Sequence, residues 1–227
     1  MDKVEFEYKI NNKTYNEHFA KYLLSTVFDI SLEKSQNADR PDILFIDKNG
    51  SYGIEVTTVI DAFYNALKRY KQVWAKNNLT LEEIIHSMPS ILKGKLALSI
   101  DGNIVLRSPY NKHLTENVIN KLIEMVQEKY EKLQSYEKFE RNDLFVFMTN
   151  LSENIKTDKI KFVLDGIDKS NFKTTFDNIM IFNYNELQIY PQKENGVVSV
   201  LKISNDVIDK CDKLATFDVF SMEKNDK

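Results

Sequence analysis

Residues 40–57 read RPDILFIDKNGSYGIEVT. Two runs rich in aliphatic and aromatic residues, 42–47 and 52–57, flank Asn49-Gly50, the dipeptide that most strongly favours a two-residue hairpin turn. Pro41 cannot donate to a ladder, so the first strand begins just after it. With Asn49-Gly50 as the turn, Asp42 lies opposite Thr57 and Leu44 opposite Glu55. The period of two then puts Asp42, Glu55 and Thr57 on one face and Ile43, Phe45, Ile54 and Val56 on the other, which is the core side. Asp42 and Glu55 become diagonal neighbours, roughly 7–8 Å apart at the backbone.

Working outward, Val4, Phe6, Tyr8 and Ile10 alternate with charged residues and predict a half-exposed strand. From Thr14 to Asp29, Phe19, Tyr22, Leu23 and Val27 recur at helical spacing, and Ala20, Leu24 and Phe28 make a second stripe, so this helix is covered on two sides. Downstream, the patterns predict helices over 61–76 and 81–92 and a hairpin from 95–100 to 104–106 across Asp101-Gly102. A long helix over 115–136 has Ile119, Leu122, Ile123, Val126, Tyr130 and Leu133 on its apolar face. The run LFVFM within 143–149 reads as an interior strand. A helix over 155–165, strands near 178–183, 186–190 and 197–203, and a polar, frayed end after Phe220 complete the expectation. The fold class is α/β, a central mixed sheet flanked by helices. No repeat or linker marks a boundary; the division expected is a core over 1–150 with a helical insertion, and a β-rich extension over 151–227 packed on it.

The chain has 227 residues, of which 42% are hydrophobic and 29% charged, enough for one sizeable core. No run approaches the roughly 18 apolar residues of a membrane span, and MDKVEFEYKI lacks the layout of a secretory leader, so no membrane partner and a cytoplasmic location are expected. A net charge of −3 means that any nucleic-acid binding depends on a local basic surface. Cys211 has no partner for a disulfide or a paired-cysteine metal site, and His18, His86 and His113 lack zinc spacing. The glycines form neither GxGxxG nor a P-loop. Residues 68–74, KRYKQVW, mix bases with aromatics; they read either as a surface for phosphates and unpaired bases or as an amphipathic helix with Tyr70 and Trp74 in the core.

Two carboxylates on otherwise apolar strands need a counter-charge, because an unpaired buried carboxylate is costly. A divalent cation meets that need: Mg²⁺, or Mn²⁺ in its place, takes one or two carboxylates and completes its shell with water and substrate phosphate. Phosphodiester hydrolysis is the reaction such a site suits. Here the sequence resembles the PD-(D/E)XK, restriction-endonuclease-like superfamily: Arg40-Pro41-Asp42 followed by Ile54-Glu55-Val56-Thr57 matches its signature. The resemblance implies an αβββαβ core, metal ligation by Asp42, Glu55 and the Val56 carbonyl, and a Mg²⁺-dependent DNA nuclease, with restriction or anti-phage defence as the setting and a homodimer as a family habit. It covers about 14–150. The family's lysine, two residues after the glutamate, is Thr57 here, and a hydroxyl cannot replace an ammonium. Some relatives carry Glu-x-Thr with a lysine arriving from a helix. By helical angle, Lys129 and Lys71 border the apolar faces of their helices, whereas Lys68 and Lys132 point away; Lys129 is the first choice. Its plain alternative is a surface lysine laying its stem on the core. Glu17 stands where relatives place a further acid, with a favourable helix N-terminus as the other explanation. Two competing readings stand beside the nuclease: a catalytically inactive member of the fold that binds nucleic acid or protein, and an unrelated α/β protein with Asp42 and Glu55 in surface ion pairs.

Overall fold

In the computed structural model, the described residues are 12–31, 35–37, 41–47, 50–59, 83, 86, 96–98, 104–106, 112–136, 139–148, 156–183, 185–193 and 196–225. The chain forms two compact units, Met1–Val59 with Ile119–Lys227, and Ile60–Val118. The second unit contains a two-stranded antiparallel ribbon, β4 (Leu96–Leu98) against β5 (Ile104–Leu106), where a hairpin was expected. The expected strand over 4–10 lies outside the described residues, as do the helices over 61–76 and 81–92 apart from residues 83 and 86, which are helical.

The first unit is built on a seven-stranded mixed sheet in the order β1-β2-β3-β6-β7-β8-β9. These strands are β1 (Ser35–Asn37), β2 (Ile43–Asp47), β3 (Gly50–Val59), β6 (Arg141–Met148), β7 (Asn178–Asn183), β8 (Glu186–Pro191) and β9 (Ser199–Lys202). The central strands β3, β6 and β7 run parallel, and antiparallel strands flank them on both sides. β7, β8 and β9, expected as part of an extension after residue 150, continue the same sheet.

Four helices contribute to it, the second from Ile119 onward: α1 (Lys13–Val27), α2 (Lys112–Leu133), α3 (Thr157–Asp165) and α4 (Asn205–Asn225). α1 starts at Asn12, whose side chain accepts the Tyr15 N–H at 3.2 Å, so a first-turn amide is satisfied. On β6, Phe145 and Phe147 are fully buried in one cluster with Phe19, Leu23 and Leu24 of α1 and Ile208, Cys211 and Ala215 of α4. The alternate residues Leu144, Val146 and Met148 are equally buried and, by the period of two, lie on the opposite face. That face is the one α2 reaches, since its Lys129 pairs with Glu55, the residue in register with Leu144. Burial on both faces explains why β6 reads as a continuous apolar run.

Three features differ from the expectation or were no part of it. The hairpin register is Asp47↔Gly50 and Ile43↔Ile54, two residues away from the pairing that an Asn49-Gly50 turn gives. Gly50 is the first residue of β3 rather than part of the turn: its φ of 131° favours glycine, and a Cβ there would lie 1.4 Å from a Glu140 carboxylate oxygen. A shift of two preserves the faces, so Ile43, Phe45, Ile54 and Val56 remain together in the core. α4 is the second correction. The chain does not fray after Phe220 but stays helical to Asn225, held through Ile208, Cys211 and Ala215 against α1. The third is β1, a strand of three polar residues that no hydrophobic pattern announces.

Candidate functional site

Asp42 sits one residue before the first residue of β2, at a position only 2% exposed. Its Oδ2 accepts the Val56 N–H at 2.7 Å. The carboxylate therefore stands where the next rung of the β2–β3 ladder would be, beyond the last pair, Ile43↔Ile54. The N–H and C=O of one strand residue point to the same edge, so the Val56 carbonyl faces this side as well. Continuing the observed register sets Asp42 opposite Glu55, closer than the diagonal placement expected.

The other Asp42 oxygen, Oδ1, lies 3.3 Å from the Lys13 ammonium, which is also 3.2 Å from Glu17 Oε1 one turn along α1. The side chains differ in freedom: Asp42 is 3% exposed and Glu17 14%, whereas Lys13 is 73% exposed. Burial, then the negative charge of Asp42, pushes the Glu17 carboxyl above its ordinary range, and Lys13 opposes that shift. Burial works against the Lys13 ammonium, but Asp42 and Glu17 outweigh it and hold its pKa above the ordinary value.

Glu55 has different company. Its Oε1 pairs with the Lys129 ammonium, and its Oε2 accepts the Tyr136 hydroxyl at 3.1 Å. Both partners come from the C-terminal part of α2 and the turn after it. Lys129 is 13% exposed and Glu55 7%, so the pair is largely out of water. Thr57, half-buried, is two residues along β3 from Glu55 and on the same face. Lys71 lies outside the described residues.

Thus the structure brings Lys129 to Glu55, and Glu17 to Asp42 through Lys13. It does not direct Asp42 and Glu55 toward one cation; each carboxylate faces its own ammonium. Among the described residues, no group of three or more His, Cys, Asp or Glu side chains is arranged to hold a metal ion. Lys13 and Tyr136 were not singled out in the sequence, though their spacing was informative. Lys13 precedes Glu17 by one helical turn and shares its face, and Tyr136 lies three residues past the end of the helix that carries Lys129. His18, next to Glu17 in the chain, is engaged elsewhere: its Nδ1 is 2.8 Å from Asp218 on α4.

A further buried acid, Asp143 near the start of β6, is occupied structurally. It pairs with Arg141 and accepts both the backbone N–H and the side-chain amide of Asn178 at 3.0 and 2.8 Å. Burial raises its carboxyl pKa against the pull of Arg141.

No family model, curated protein or solved structure matches this chain.

Proposed function

We propose that this protein is a Mg²⁺-dependent nuclease acting on DNA phosphodiester bonds, of the PD-(D/E)XK kind that residues 40–57 resemble. The observation that carries the reading is the Lys129 ammonium on buried Glu55, two residues before the threonine that stands in the place of the signature's lysine. It supplies from a helix the positive charge that Thr57 lacks. The remaining donor set suits a hard cation: Asp42 and Glu17 already share one positive charge, Lys13, and the Val56 carbonyl faces the same edge. Asp42, Glu17 and Val56 are the residues that would hold Mg²⁺, with Glu55 opposite. When bound, the ion lowers the pKa of a water ligand and offsets charge on the scissile phosphate. The chain's own part is to fix Asp42 through the Val56 N–H, to orient Glu55 through Tyr136, and to keep the Lys129 ammonium beside it.

The test is cleavage of supercoiled plasmid with Mg²⁺ or Mn²⁺. Wild type nicks the DNA, and Asp42→Asn, which retains an oxygen for the Val56 N–H, lowers the rate at least about 100-fold. An unchanged rate in this variant overturns the proposal.

A second reading, a catalytically inactive module of the same fold, is favoured by one observation: Asp42 and Glu55 each already have a lysine, so neither demands a metal for neutrality. DNA retained equally with and without Mg²⁺, and never cut, selects it.

A further inference from the structure

We infer that Lys13 is a built-in competitor for the cation site, an ammonium that holds Asp42 and Glu17 together in the metal-free protein and must leave before a divalent ion can enter. The inference rests on the metal-dependent reading above and concerns how that site is regulated. Lys13 Nζ is within 3.3 Å of Asp42 Oδ1 and 3.2 Å of Glu17 Oε1, so one ammonium bridges the two carboxylates. An incoming cation needs those same two oxygens. Asp42 is nearly buried and tied to the Val56 N–H, so it stays in place, and Glu17 beside it is largely covered. Lys13 is 73% exposed on the first turn of α1, and its long flexible stem has open water to swing into. The exchange is asymmetric: fixed anions, removable cation.

The exchange has two consequences. Without metal, Lys13 offsets the charge of both acids, so the fold does not depend on the ion. With metal, its departure costs the two contacts it made, and apparent affinity falls by that amount. Removing the ammonium while keeping the stem therefore tightens metal binding and makes the empty protein less stable.

The experiment is calorimetric titration of Mg²⁺ and of Mn²⁺ into the full chain, for wild type, Lys13→Met, Lys13→Arg and Asp42→Asn, with melting temperatures recorded with and without ion. Lys13→Met is expected to bind Mn²⁺ at least about tenfold more tightly than wild type. Its melting temperature without ion falls, and the rise on adding ion exceeds that of wild type. Lys13→Arg, which keeps the charge, binds like wild type. Equal affinity in wild type and Lys13→Met, with binding lost in Asp42→Asn, overturns the competitor role and leaves the metal site standing. Weaker binding in Lys13→Met also overturns it. Binding unaffected by Asp42→Asn, or no binding in any variant, removes the metal site itself, and the competitor with it.

Discussion

The Lys129–Glu55 pair shows how much one side chain carries here. Both groups are largely dehydrated, and each is the other's counter-charge. Removing one partner strands a buried charge, which typically costs roughly 3–5 kcal/mol, whereas removing both leaves a neutral contact. Lys129→Met is expected to lower unfolding stability by about 3 kcal/mol, since Tyr136 still serves one Glu55 oxygen. Adding Glu55→Met recovers most of that loss. Urea denaturation of the four proteins of this cycle measures the coupling, and additive losses contradict it. The lysine was legible in the sequence because a helical angle is a local property; that it would meet Glu55 rather than solvent depends on where α2 lies on the sheet, and no local pattern contains that. His18 makes a second case. Burial, then the Lys21 charge, lowers its pKa, and Asp218 only partly offsets them. The folded protein thus takes up this proton less readily than the unfolded chain, whose value is about 6.5. The stability His18 contributes is complete above that value and is lost as pH falls below it. Denaturation midpoints are expected to drop as pH falls below about 6.5 in wild type, and to drop less in His18→Gln.

At the level of elements, α1 is the organiser. Phe19 is fully buried and stacks obliquely on Phe182 and edge-on against Phe147, with ring centroids 5.6 and 5.8 Å away. Tyr15 donates to Asp212 of α4 at 2.8 Å from the same helix, and Lys13 and Glu17 reach Asp42. Phe19→Ala is expected to cost about 3–5 kcal/mol in urea denaturation, through lost burial and the cavity left among the rings. A loss below about 1 kcal/mol would place the helix elsewhere. The two stripes of α1 were visible in the sequence, because a helix covered on two sides must be apolar on two sides. The hairpin was visible too, but its register was not: Asn49-Gly50 marked a turn, while the Gly50 backbone was committed to φ 131° beside Glu140, a residue ninety positions away. α4 escaped notice because its buried positions, Ile208, Cys211 and Ala215, are small or isolated among Lys and Asp.

For the molecule as a whole, the decisive fact is that the sheet does not stop at residue 150. β7 forms parallel pairs with β6 from Asp143↔Asn178 to Phe147↔Phe182, and α4 lies against α1. A chain ending at residue 150 is therefore expected to lack cooperative unfolding, because β6 loses a neighbour and α1 loses the helix packed against it; a sharp thermal transition for that fragment would contradict this. Both groups of the candidate site, Lys13, Glu17 and Asp42 on one side and Glu55, Lys129 and Tyr136 on the other, belong to the first unit. Among the described residues, no helix is long and apolar enough to cross a membrane.

The rung that Asp42 closes with the Val56 N–H has one more effect. A carboxylate on a free side chain loses its torsional entropy when a guest arrives; this one surrendered it when the strands paired. Ordering the acid is thus a cost of folding and not of capture, and any positive guest, an ammonium or an ion, meets an oxygen already aimed.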